Sequence, residues 1–247
     1  MFGRQDVYLV SGLASGVASF SLVRDRRVTY RDLFDANRLF EGRAGGVDSR
    51  WVLACTCVDW GGLSVLPRDV VMRDVVGFLN RSGCRLKRSL ELVDGIQGAH
   101  REVIDRLRAL DGLTLWDYDP GELILVRGQK LEARKVVLEV FQRFRDVGLH
   151  FRETAASKLL HMLNPFLFIM WDKAIAKAYG VSRTPWGYVH EFMPFTREKA
   201  NQVIDSYMEE YGTTREEAVC KLNAYRPHKT LAKLLDEYDW IKCSLRH

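Results

Sequence analysis

From Gly128 to the C-terminus the chain repeats one pattern: apolar residues three and four apart, in short runs closed by Gly, Asn-Pro or a charged turn. That spacing places the apolar side chains on one helical stripe, so this half of the chain can bury them only by packing helix on helix. Leu131, Val136, Val137, Val140, Phe141 and Phe144 mark the first such stripe, with Arg134, Lys135, Arg143 and Arg145 on the opposite face. Thr154 to Leu163 predicts a short helix stopped by Asn164 and Pro165. Asp172 to Tyr179 predicts another, opening on an acid that suits the positive helix N-terminus and closing at Gly180. Thr196 to Tyr211, Thr213 to Leu222 and His228 to Tyr238 complete the set, with Thr213 and Glu216 spaced as a capping box.

The first half is more mixed. VYLVSGL and ASFSLV, with a charged turn at Arg24 to Arg27 after them, read as a hairpin, and Thr29 with Asp32 predicts the N-cap of a helix over Tyr30 to Phe40. WVLACTCV is ambiguous between a buried strand and a short helix. Helical spacing resumes at Pro67 and lasts to Ser82 and Gly83. Two further helices are expected over Leu86 to Val93 and His100 to Leu110, divided by Asp94, Gly95 and Gly98. In TLWDYDPGELILVRG, Asp119, Pro120 and Gly121 predict a hairpin turn between two strand-like runs. The expected fold is therefore mainly α, of the α+β kind: an N-terminal mixed α/β element over 1–66, a helical body over 67–247 arranged in two lobes, and a β-hairpin near residue 120.

Composition narrows the function classes. With 247 residues, 47% of them hydrophobic and 28% charged, the chain can build a real core. The net charge of +5 comes almost wholly from the second half, where 19 basic residues face 15 acidic ones. A cationic half suits a phosphate-bearing partner. Arg outnumbers Lys by 26 to 11, and Asn and Gln together number ten, a bias that fits a thermophilic source. Five cysteines without framework spacing point to a reducing, cytoplasmic setting, and the C-x-C pair Cys55 and Cys57 reads as buried thiols, not a metal site. The uncharged stretch Val7 to Val23 holds too much Ser and Gly for a membrane span. There is no phosphate-binding G-x-x-x-x-G-K-[ST], no dinucleotide G-x-G-x-x-G and no G-x-S-x-G elbow, so nothing implies a nucleotide cofactor. Asp117, Asp119, Glu122 and Lys130 offer the residue types of a metal-dependent nuclease, but at a spacing better suited to solvated hairpin charges.

Phe151 to Gly180, FRETAASKLLHMLNPFLFIMWDKAIAKAYG, concentrates the chemistry. It is a short helix, a proline-bearing apolar run, and a second helix headed by Asp172. Lys158 stands one turn after Thr154 and shares its face. His161 comes three residues later and is expected on the same surface, while Trp171 precedes the acid directly. Phe166, Phe168, Trp171, Trp186, Tyr188, Phe192 and Phe195 could wall an aromatic pocket, although aromatic intervals between helices also serve as core. Arg152, Lys158, Lys173 and Lys177 could follow a phosphate backbone, or could simply be solvated helix faces.

The segment resembles, over residues 151–180, the core of the helix-hairpin-helix DNA glycosylases typified by endonuclease III and 8-oxoguanine DNA glycosylase. In that superfamily a helix opening on K-T-A is followed, about eighteen residues on, by a catalytic Asp after an apolar, proline-containing stretch. Here Thr154 to Ser157 precede Asp172 at that separation, and FIMWDKAIAKAYG opens and closes a helix in the same way. Thr154 stands where bifunctional members keep a nucleophilic Lys, the nearest amine being Lys158, and of the G-V-G hairpin only Gly148 has a counterpart. The resemblance implies a nucleic-acid-interacting enzyme that removes a base from DNA, without cofactor or metal. It makes Asp172 the catalytic acid; helical spacing, not the family pattern, adds Lys158 as a helper or Schiff-base amine, and residue type and position add Trp171 as a stacking wall and Trp186, His161, Lys173, Lys177 and Arg152 as substrate contacts. The rival expectation is a non-catalytic module that holds nucleic acid or another protein, with Asp172 only a cap. A small-molecule enzyme using the aromatic interval is a third.

Overall fold

The computed structural model describes residues 26–43, 51–52, 54–55, 62–148 and 150–244. The hairpin expected before residue 24, and Val7 to Val23 with it, lie outside the described residues. The fold is mainly helical, with one small antiparallel sheet among the described residues. Helix α1 (Tyr30–Arg43) opens as its sequence indicates, the Thr29 N–H donating to Asp32 at 3.2 Å. Of WVLACTCV, residues 51, 52, 54 and 55 are helical. Helix α2 spans residues 68–81 through a π-turn at Val71–Val75.

Helix α3 (Leu90–Ala109) is continuous where two helices were expected. Its Gly95 is there for packing: a Cβ at that position would stand 2.9 Å from Cγ1 of Val147. A glycine inside a helix costs about 1 kcal/mol, and close approach to the turn at Val147 offsets it. The β-hairpin also lies one step later than its sequence suggests. Strand β1 (Leu123–Val126) pairs with β2 (Gln129–Glu132), and the turn is Arg127 and Gly128, both at positive φ (49° and 82°), as a two-residue type I′ turn requires. Asp119 instead makes a local turn, its Oδ1 accepting from Gly121 N at 2.9 Å, and the preceding run is no strand: Trp116 and Tyr118 are buried anchors.

Helix α4 (Ala133–Arg145) buries the predicted stripe from Val136 to Phe144, whereas Leu131, expected at its start, stands half-buried in β2; α5 (Glu153–Leu163) comes after a short turn in which Gly148 and His150 take positive φ and Phe151 N donates to Gly148 O. Helix α6 (Lys173–Tyr179) is capped by Asp172 and closed by left-handed Gly180. Helix α7, residues 185–211, begins eleven residues earlier than expected, running through a π-turn at Tyr188–Phe192, so most of the aromatic interval is helix. Helix α8 (Arg215–Asn223) carries a capping box from Thr214 and Glu217, one residue later than predicted, TTREE offering both registers.

The last helix, α9 (Leu231–Ser244), lies along α1 and touches α6, α7 and α8. It is not the amphipathic surface helix its charges suggest. Lys233, Asp236, Glu237 and Asp239 are all buried, as is Lys229 just before it. These charges pair with one another and with α1 and α7. Lys199 lies 3.5 Å from Asp239, and Tyr179 donates to Asp239 at 2.6 Å. Buried hydrophobic residues from α1 to α9 form one cluster.

Candidate functional site

Asp172 owes its position to an extended run, Phe168 to Trp171, that lies against α5 and α7. Ser157 and His161, four residues apart on α5, both bond to it. The Ser157 hydroxyl accepts from Trp171 N at 3.3 Å and donates to Trp171 O at 3.4 Å, while His161 Nδ1 lies 2.7 Å from Phe168 O. From α7 the Tyr188 hydroxyl accepts from Ile169 N at 3.1 Å and donates to Ile169 O at 2.7 Å. A buried stretch without a ladder partner must satisfy its backbone groups in this way. Its end is thereby fixed, and the chain turns into α6 at Asp172.

The Asp172 carboxylate accepts from Ala174 N at 2.8 Å and Ile175 N at 2.9 Å, both through Oδ1. Among the described residues Oδ2 has no hydrogen-bond partner, so the cap uses one oxygen and leaves the other. The side chain is half-buried and belongs to the wall of two adjoining concavities.

The first is a cavity of about 340 Å³, within the size range of small-molecule sites. Phe40 of α1, Phe78 of α2 and Trp240 of α9 line it together with Met170, Trp171 and Ile175. Lys158, Asp172, Lys233 and Asp236 bring two amine and two carboxyl side chains to the same walls, with Arg43 and Arg81 alongside. Lys158 Nζ donates to the carbonyl of Ser82, in the turn after α2 that borders both concavities. The second is an open trough of about 740 Å³, where Arg85, His150, Arg152, Lys173, Lys177 and Arg183 gather with Thr154. Asp172 is the acidic side chain of the trough.

The structure thus brings Asp172, Lys158 and Trp171 to one cavity and Arg152, Lys173 and Lys177 to the trough beside it. Two expected site residues stand elsewhere. His161 does not share the cleft-facing surface of Lys158: it is fully buried, stacked on Trp51 with ring centres 5.8 Å apart, and burial pushes its imidazole down to about 3. Trp186 is exposed on the far end of the interval, stacked on His190 at 4.8 Å, and lines neither concavity. Trp171 is itself 1% exposed, its ring packed against Tyr188 and Phe192, each 5.2 Å away. The aromatic interval is therefore mostly core, with Phe168, Tyr188 and Phe192 buried. The cavity's other aromatic walls come from Phe40, Phe78 and Trp240, and its second acid from Asp236. Sequence reasoning missed these because nothing in α1, α2 or α9 marks which helical face will meet Asp172. In the trough, Arg85, His150 and Arg183 join the expected Arg152, Lys173 and Lys177, and the basic types of Arg183 and His150, close to the segment, are the local signal that could have added them.

Comparison with protein-family models, with curated proteins and with solved structures finds no match to this chain.

Proposed function

We propose that this protein binds DNA and removes a base from it, as the helix-hairpin-helix glycosylases do. The observation that carries the reading is the place of Asp172, in the wall shared by a cavity with aromatic lining and a trough of cationic side chains. Base excision needs both parts. The flipped base requires an apolar, aromatic chamber, and the strand it leaves requires cations along its phosphates. The carboxylate that steadies positive charge on the sugar must stand between them, because the sugar joins base to phosphate. Asp172 has that place, and a preorganised group opposite developing charge supplies several kcal/mol. Lys158 brings an amine to the same cavity for capture of C1′. The turn between α4 and α5 also supports the reading. It joins two packed helices through left-handed Gly148 and His150, and it turns His150 and Arg152 into the trough, where side chains can do the anchoring that a second glycine's backbone cannot.

The test is release of free base from duplex oligonucleotides bearing a broad panel of damaged and mismatched bases. Release from at least one is expected, and none from any of them overturns the proposal. A second reading has one observation of its own. Asp172 does cap α6, with two backbone hydrogen bonds, and a module that merely holds nucleic acid or protein in the trough needs nothing more from it.

A further inference from the structure

Five charged residues of α9 and the turn before it are buried, and ions out of water cost several kcal/mol each unless they are well paired. One chain of contacts among them ends in the cavity. Glu237 is held by Lys229, 3.0 Å from its Oε1, and by the side-chain amide of Asn37. The same Oε1 lies 3.1 Å from Lys233 Nζ, and Lys233 in turn lies 3.1 Å from Oδ2 of Asp236. Lys233 is thus immobilised between two carboxyl groups and fixes one oxygen of Asp236. The other, Oδ1, has no hydrogen-bond partner among the described residues, and the side chain keeps 11% of its surface where it lines the cavity with Asp172 and Lys158.

Resting on the base-excision reading, we propose that Asp236 is a second catalytic carboxyl of this cavity, giving a proton to the base as its bond to the sugar breaks. The C1′–N bond cleaves with its electron pair passing to the base nitrogen. The base takes the proton of the Asp236 carboxyl and leaves neutral, and Asp172 balances the charge at C1′. The Lys158 ammonium then passes a proton to the Asp236 carboxylate, restoring its acid form, and the amine so freed bonds to C1′, keeping its two remaining protons. Two carboxyls in unlike surroundings are the usual means of dividing acid from charge-stabilising work. Asp172 accepts two backbone N–H groups, whereas Asp236 is buried. Burial raises the Asp236 carboxyl above the ordinary aspartate value, against the pull of Lys233 on its own helix and of Lys158 on α5, and the negative Asp172 adds to the rise. Tyr188 of α7 also senses its charge, and Arg43 and Arg81 reach the same cavity from α1 and α2.

Two measurements test this on the full chain. Carboxyl-carbon NMR of aspartate-labelled protein, assigned with Asp236→Asn and Asp172→Asn, reads the proton directly and needs no activity. Asp236 is expected to titrate above the ordinary aspartate value, and an Asp236 that titrates at or below that value overturns the assignment whatever the protein does to DNA. The pH profile of base release reads its use. Wild-type release falls as pH rises through the Asp236 midpoint, and Asp236→Asn, checked by its melting curve, releases base about 10²- to 10⁴-fold more slowly, without that fall. Asp236→Glu restores part of the rate. An Asp236→Asn variant with the wild-type rate and profile overturns the proposal while leaving base excision standing. Absence of release from every lesion defeats base excision and with it this assignment.

Discussion

The hydroxyl of Tyr188 takes both backbone groups of Ile169, accepting from the N–H at 3.1 Å and donating to the C=O at 2.7 Å. Among the described residues no strand partners this buried residue, so Tyr188, with Ser157 and His161, stands in for a sheet and fixes where the run to Asp172 ends. Tyr188→Phe removes both bonds and leaves two buried groups unpaired, each costing about 1–3 kcal/mol. The expected outcome is a clear loss of stability in urea melts and a fall in base release larger than the fall in DNA affinity, because Arg85, His150, Arg152 and Arg183 of the trough lie outside the run that Tyr188 fixes.

His161 predicts a pH dependence. Its ring is held neutral by burial and titrates at about 3 in the folded protein, against about 6.5 when unfolded. The unfolded chain therefore binds a proton that the folded one refuses, between those two values. Stability from this residue is complete above pH 6.5 and is lost as pH falls towards 3, by up to about 1.4 kcal/mol per pH unit. Unfolding free energies measured from pH 7 to pH 4 should show the decline, and His161→Gln should flatten it while lowering stability at pH 7.

The trough predicts salt-dependent binding. Arg152→Ala and Lys177→Ala should each weaken binding to duplex DNA and reduce the slope of log affinity against log salt by about 1. Trp186→Ala should change neither, since Trp186 lies on His190, away from both concavities. Equal slopes for wild type and the two trough variants would remove phosphate from the account of this surface.

Lys158 predicts a covalent intermediate. Borohydride added during turnover should trap an adduct between the protein and an oligonucleotide bearing an abasic or lesion site, and peptide mapping should place it on Lys158. Lys158→Gln should lose the adduct. Trapping on Lys233 instead, the other amine of the cavity, would reassign the nucleophile.

What could be read from the sequence was local. The stripe from Val136 to Phe144, the stop at Asn164 and Pro165, and the helix headed by Asp172 stem from spacing and capping alone, and all are present. The errors arose where tertiary contact overrules a local signal. Gly95 interrupts a pattern but not a helix, because Val147 packs against its bare Cα. Gly128, not the Asp119 turn, makes the hairpin, because strand pairing demands two positive φ angles. The site was legible only along the one segment that holds Asp172, Lys158 and the near side of the trough. Phe40, Phe78, Asp236 and Trp240 reach the cavity from α1, α2 and α9, all remote from that segment along the chain, and no periodicity encodes which turn of each will face it. His161 misled for the opposite reason: its spacing from Lys158 fits one face, yet its ring turns to Phe168 O.

The central claim is that Asp172 serves the sugar as well as its helix, and Asp172→Asn separates the two roles. Asparagine caps a helix about as well as aspartate but carries no charge. Base release by Asp172→Asn, measured beside its melting temperature and its DNA affinity, is the most direct test. The account predicts wild-type stability and affinity with base release abolished. Release at the wild-type rate from a stable Asp172→Asn protein would contradict it, leaving Asp172 as a cap and nothing more.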